Sequence, residues 1–220
     1  MGLILAIETT TKNCSVSLFE KDQLISYKEE FGENYIHSES LLFFIQETLS
    51  TANYNLYNLD AIAISKGPGS YTGLRIGAAS AKGLCYSLNI PLISISTLKV
   101  MAYAMSNRED SFYYCAMIDA RRNEVFAAIY DQNINIIRDI QVDVVDKKTY
   151  IDFLDKKIIF FGDGAKKCKT LINHKMAVFV EGIYPSSKDM GVLIYNKFIQ
   201  KDFDDIAYFE PHYLKDFVVG

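Results

Sequence analysis

The stretch from Lys66 to Gly77, KGPGSYTGLRIG, decides how the rest of the chain is read. An alternating apolar run, Leu59 to Ile64, leads into it, and Leu74, Ala78, Ala81, Cys85 and Leu88 follow at helical spacing. Period two, a breaker and then period 3.6 predict a strand, a sharp corner and a helix. Pro68 fixes its own φ, while Gly67 and Gly69 are free to take the positive φ that a tight reversal needs. Gly73 and Gly77 strip side chains from the first turns of the helix, so that either another backbone packs there or an anion approaches the helix N-terminus. Sequence leaves both uses open. The known phosphate loops do not fit: no Gly-Lys-Ser/Thr follows the glycines, and GPGSYTG places Ser70, Tyr71 and Thr72 between its second and third glycines, one residue more than the dinucleotide fingerprint.

At 220 residues, half of them hydrophobic, the chain is long enough for one large or two small domains and too apolar for disorder. No apolar run approaches the ~18 residues of a spanning helix. The opening MGLILAIETT has neither a basic region nor a cleavage site, so it reads as the first strand of a cytoplasmic protein. Ala6 stands where a myristoylation signal needs Ser or Thr. Cys14, Cys85, Cys115 and Cys168 are far apart in apolar or helical contexts, which suits buried thiols rather than a disulfide framework or a metal site. A net charge of −4 argues against an autonomous nucleic-acid binder.

Leu3 to Ile7, Cys14 to Phe19 and Gln23 to Glu30 predict a three-stranded antiparallel meander. Ser38 to Ala52 reads as a helix with Ser38 as its cap, an apolar face of Leu41, Phe44, Ile45 and Leu49, and Phe43 turned outward. Pro91 to Ile95 is a strand, and Ser96 caps a helix to about Ser106. After the polar break Asn107-Arg108-Glu109-Asp110 the pattern restarts: Phe112 to Ile118, Glu124 to Tyr130 and Ile134 to Val142 form a second meander. A helix near Lys147 to Leu154, a strand Ile158 to Phe161, a helix from Ala165, a strand Met176 to Val180 and a helix Ser186 to Gln200 follow. LILAIETTTKNCSVSLFEKDQLIS and YCAMIDARRNEVFAAIYDQNINII repeat the same order, strand, acidic residue, turn, strand, turn, strand. Two duplicated α/β lobes are expected, 1–106 and 107–220, with the last helix and tail as candidates for packing back on the first lobe.

An acidic residue closing the first strand of each of two such lobes resembles the actin, Hsp70 and sugar-kinase (ASKHA) fold. Within it, ILAIETTTKNCSVSLFE, ISKGPGSYTGLRIGAASAKGL, IDARRNEVFAAIY and the tail EPHYLKD resemble the bacterial TsaB (YeaZ) family. The resemblance implies an accessory subunit of the machinery that makes threonylcarbamoyladenosine beside the anticodon of tRNA. Its implied partners are the catalytic paralogue TsaD and the ATPase TsaE, with tRNA met only through the complex, no membrane, and a homodimer through the same helices as a structural alternative. The paralogue holds metal with two histidines four apart on a helix; in PLISISTLKVMA the matching positions are Thr97 and Met101, so no metal is expected. His37, His174 and His212 are dispersed.

Nucleotide-using members of this fold have a glycine-rich first hairpin, whereas Glu8 to Cys14 contains no glycine, and the TsaB resemblance implies Asp where this chain has Glu8. No cofactor and no catalytic residue are therefore expected. Ser70 is not in a GxSxG elbow and reads as a turn serine. Arg121-Arg122 reads first as a solvated turn beside Asp119, and Lys166-Lys167-Lys169 as a solvated basic turn, with RNA contact the rival for both. The helix after the glycine corner has a second face of small residues. Ile76, Ala79, Ser80 and Gly83, with Leu42 and Phe43 of the preceding helix, form the expected partner interface. The corner itself, Gly67, Pro68, Gly69, Gly73 and Gly77, is expected to be structural. An ATP-using transferase or peptidase of the same fold, working near Thr9 to Lys12, Gly67 to Thr72 and Asp119, is the alternative.

Overall fold

The computed structural model describes residues 2–32 and 37–215, without the side chains of 37–39. It comprises two compact units, 1–97 with 185–220, and 98–184.

In the first unit β1 (Leu3–Glu8), β2 (Asn13–Glu20) and β3 (Gln23–Phe31) form the expected antiparallel meander. β4 (Ala61–Ser65) and β5 (Leu92–Ile95) add in parallel, giving the order β3-β2-β1-β4-β5. Every residue of β1 and β4 is buried, as expected for strands covered on both faces. Pairing of Leu5 with Leu18 and with Ile62, and of Ile7 with Val16 and Ile64, puts the branched side chains on one face. There α1 (His37–Thr51) and α2 (Tyr71–Leu88) cover them with Leu41, Phe44, Ile45 and Leu49 and with Ala78, Ala81 and Cys85. The helix start at His37 puts Ser38 inside α1 rather than at its cap; the Ser38 side chain lies outside the described residues.

The opposite face carries the smaller Ser15 and Ser17, and the returning segment 185–200 lands there. The Ser187 N–H donates to Ser15 Oγ at 2.9 Å, and the Ser17 and Ser187 hydroxyls bond at 2.7 Å. These bonds hold Ser187–Asp189 in a tight 3-10 turn, so α5 (Gly191–Gln200) starts later than the helix expected from Ser186.

The second unit repeats the plan. β6 (Tyr113–Asp119), β7 (Glu124–Asp131) and β8 (Ile136–Val144) are antiparallel, β9 (Ile158–Phe161) and β10 (Ala177–Val180) are parallel, and the order is β10-β9-β6-β7-β8. That is the first sheet's order repeated, the outcome a duplication predicts. Helix α3 (Thr97–Ser106), expected to close the first lobe at 106, joins this unit from Leu98 on; Met101 is buried and packs against the turn at Gly162. No long helix forms at 147–154. Asp146 Oδ1 accepts from the Lys148 N–H and the Thr149 hydroxyl, each at 2.8 Å, and this side-chain turn leaves only a short 3-10 turn, Ile151–Phe153. The helix from Ala165 is a single turn, α4 (Ala165–Cys168).

Candidate partner-binding face and the glycine corner

The corner is built on Glu8, at the end of β1. Its side chain is fully buried, and one oxygen, Oε1, accepts from both the backbone N–H and the hydroxyl of Thr10, at 2.6 and 2.5 Å. The other, Oε2, accepts from the Ser65 hydroxyl at the end of β4. Burial pushes the Glu8 carboxyl above the usual range, opposed by these donations. Thr10 returns a carbonyl to the Ser70 N–H at 2.6 Å, and the Thr9 hydroxyl donates to the Gly73 carbonyl at 2.8 Å inside the first turn of α2. Ser70 caps that helix, its Oγ accepting from the Gly73 N–H at 3.3 Å. The first hairpin and the corner therefore grip each other.

The glycines make this grip fit. A Cβ on Gly69 would fall on the carbonyl and side chain of Thr10, and one on Gly77 on the Thr9 hydroxyl. Gly67 has φ 107°, and the Gly67-Pro68 peptide bond is cis. Of the two uses left open by the sequence, close packing is present at Gly69 and Gly77. The Thr9 and Thr10 hydroxyls, candidate donors to a phosphate, are both spent on protein oxygens. Asp119 is exposed, accepts the Arg121 N–H at 2.7 Å and pairs with Lys167 at 2.6 Å. Thr97 and Met101 are both buried, the Thr97 N–H donating to the Gly67 carbonyl at 3.0 Å. Among the described residues no group of three His, Cys, Asp or Glu is arranged to hold a metal.

The tail closes the corner from its other side. Phe209 is buried in the core of the first unit, and Lys82 on α2 donates to the carbonyls of residues 207 and 209, at 3.4 and 3.2 Å. Beyond them the His212 N–H reaches the Lys66 carbonyl at 2.7 Å, and the Tyr213 ring packs on Tyr71, 5.1 Å between centroids.

The outer faces of α1 and α2 adjoin on the same side of the sheet. Leu42 and Phe43 are 66% and 60% exposed, a large apolar pair for a surface. On α2 the exposed positions are Thr72, Arg75, Ala79, Gly83, Tyr86 and Ser87, one stripe at helical spacing. Open space surrounds the missing Cβ of Gly83. Ser80 is half-buried beside the stripe; Ile76 is half-buried too and packs on the core, at the edge of the face. Arg75, stacked 4.1 Å over Tyr71, and Tyr86, 83% exposed, belong to the stripe but escape the sequence reading, which followed only small residues. The three-four spacing 72, 75, 79, 83, 86 is the signal that marks them.

Comparison with known proteins names the family. Residues 34–219 match the family model of TsaD, tRNA N6-adenosine threonylcarbamoyltransferase. The chain is 30% identical to the tRNA threonylcarbamoyladenosine biosynthesis protein TsaB of Escherichia coli (strain K12), over 97% of this chain and 94% of that protein. This chain belongs to the TsaB (YeaZ) family. The TsaB of Bacillus subtilis (strain 168) is 29% identical over 77% of this chain and 74% of its own length. A Pseudomonas aeruginosa protein described as similar to peptidase YeaZ superposes with a TM-score of 0.85 at 25% identity, covering 98% of this chain and all of that one. A polyphosphate/ATP-glucomannokinase from Arthrobacter sp. strain KM, at 9% identity and TM-score 0.50 over 91% of this chain and all of its own, shares the fold alone. The fold expected from the duplicated meanders is thus shared with a sugar kinase. No described helix is long and apolar enough to cross a membrane.

Proposed function

We propose that this chain is a non-catalytic subunit in the biosynthesis of tRNA threonylcarbamoyladenosine, docking on the catalytic paralogue TsaD and activating it. The observation that carries this reading is the joined outer face of α1 and α2, where exposed Leu42 and Phe43 on one helix accompany the small exposed residues Ala79 and Gly83 on the other. A helix that exposes glycine and alanine admits a second helix at close range. Binding the active arrangement of the partner better than its other arrangements shifts that partner's population, which is activation without chemistry in this chain. TsaE joins the assembled pair, and tRNA is met in the complex.

Absence of catalysis in this chain is supported by the corner. Glu8 is fully buried and the Thr9 and Thr10 hydroxyls of the first hairpin are committed to protein oxygens rather than to a phosphate. The rival reading, an ATP-using transferase or peptidase, predicts nucleotide turnover that is lost in Asp119→Asn.

Light scattering after size exclusion tests the docking face on the chain mixed with TsaD of its own organism. Wild type is expected to form a one-to-one complex, and Ala79→Arg and Gly83→Arg to remain unassociated without any fall in unfolding midpoint. Association and tRNA modification that survive both substitutions would overturn the assignment. A stable homodimer that TsaD does not displace would favour self-association through the same helices.

A further inference from the structure

The proposed docking face lies on the first unit. The second unit has its own irregularity in the turn joining β6 to β7. Arg121 and Arg122 stand there with φ 67° and 49°, successive residues in the left-handed region that glycine and asparagine occupy most cheaply. The turn is held from several sides. The Arg121 N–H donates to Asp119 Oδ1 at 2.7 Å, and the Ala120 N–H donates to the Glu124 carbonyl at 3.0 Å. Lys167 of α4 donates to the carbonyls of Arg122 and Glu124, at 3.1 and 2.6 Å, and to Asp119 Oδ1 at 2.6 Å.

That lysine clips α4 to the turn, and so gathers three other cations on one corner of the unit. Arg121, Arg122 and Lys166 are exposed, and among the described residues none of them has a carboxylate partner. The neighbouring acids are engaged: Asp119 by Lys167, Glu181 by Lys169 at 3.1 Å, and Asp163 by the Asp119 N–H at 2.8 Å. A turn that needed only to reverse the chain would be better served by Asn-Gly. Two arginines kept in a disfavoured conformation point to a use for their side chains.

We infer that this corner grips the phosphodiester backbone of the RNA substrate within the assembled complex. The inference rests on the proposed role in tRNA modification, which supplies the polyanion. Three exposed cations without carboxylate partners, two on the turn and one on α4, suit repeated phosphates, whereas the net charge of −4 opposes RNA binding by the free chain.

The test uses the complex with TsaD and measures tRNA affinity across a salt series, with assembly followed by light scattering. The triple variant Arg121→Gln, Arg122→Gln, Lys166→Gln is expected to assemble normally and bind tRNA about tenfold more weakly, with a salt slope shallower by about 2. Arg122→Gly separates structure from use: it relieves the turn, so its unfolding midpoint should rise while tRNA affinity falls. Unchanged affinity and slope in assembled variants would overturn the inference. Loss of assembly would also overturn it, making the corner a protein contact. If wild type itself forms no complex, the functional reading fails, and the corner is judged on the chain alone with an anticodon stem-loop RNA at about 20 mM salt. Weaker retention by the triple variant would then uphold the phosphate grip, and equal retention would end it.

Discussion

Thr10 donates two hydrogen bonds to a single oxygen of Glu8, from its N–H at 2.6 Å and its hydroxyl at 2.5 Å. With Ser65 on the second oxygen, the carboxyl at the end of β1 is sealed inside the first unit.

This sealing has a pH signature. Burial raises the Glu8 pKa above its ordinary 4.5, so the folded state holds the proton more tightly than the unfolded chain. The corresponding stability is present in acid and is lost as pH rises from about 4.5 through the raised value. Glu8→Gln, which keeps the shape and an acceptor for Thr10, should fold and flatten this pH dependence in urea midpoints measured at several pH values. Equal slopes for the two proteins would contradict it.

Two glycines of the same segment should respond oppositely to alanine. Gly69→Ala puts a methyl on the Thr10 carbonyl and should cost about 3 kcal/mol or prevent folding. Gly83→Ala fills open space in mid-helix and should stabilise the free chain by about 1 kcal/mol. Denaturant titration of both variants checks the contrast, and a destabilised Gly83→Ala would show that the ridge is not free.

In the second unit, Arg138 donates to both oxygens of Asp143, at 2.7 and 2.5 Å, and the Tyr150 hydroxyl adds a third bond at 2.7 Å. Burial, with the Cys115 thiol and Asp143 nearby, raises the Tyr150 hydroxyl's pKa, so it remains a neutral donor. Tyr150→Phe should cost about 1 kcal/mol, one net hydrogen bond. Asp143→Ala, which strands a part-buried guanidinium, should cost about 3 kcal/mol or more. Equal losses in urea titrations would refute this ranking.

The tail should act as part of the first unit's core. Phe209→Ala should cost about 3 kcal/mol in unfolding free energy. It should also speed amide exchange at His212, whose N–H is held by the Lys66 carbonyl, relative to amides in β1. Unaltered exchange at His212 would mean that the tail holds the corner without its anchor.

Both meanders were legible in the chain, because strand alternation and polar turns such as Lys21-Asp22 and Gln132-Asn133 act over a few residues. Leu3–Glu8 and Tyr113–Asp119 repeat one pattern, and the two sheets repeat one order. The same local logic placed α2 behind its glycine corner and turned Leu42 and Phe43 outward. Short helices were less legible. At 147–154 the bonds of Asp146 and Thr149 outcompete the helix, and at 186–190 Ser187 bonds to a strand about 170 residues earlier.

The sequence alone therefore determined the duplicated α/β plan, the family and the small-residue ridge, all of which depend on spacing within one element. Tertiary structure decided what each group is free to do. The Thr9 hydroxyl is spent on Gly73, 64 residues away, and the Glu8 carboxyl on Ser65, 57 away. Lys167 clips a turn more than forty residues earlier and leaves Arg121 and Arg122 unpaired beside it. Hydrogen bonds and ion pairs are satisfied by whatever the fold brings within about 3 Å, and that distance has no counterpart in sequence spacing.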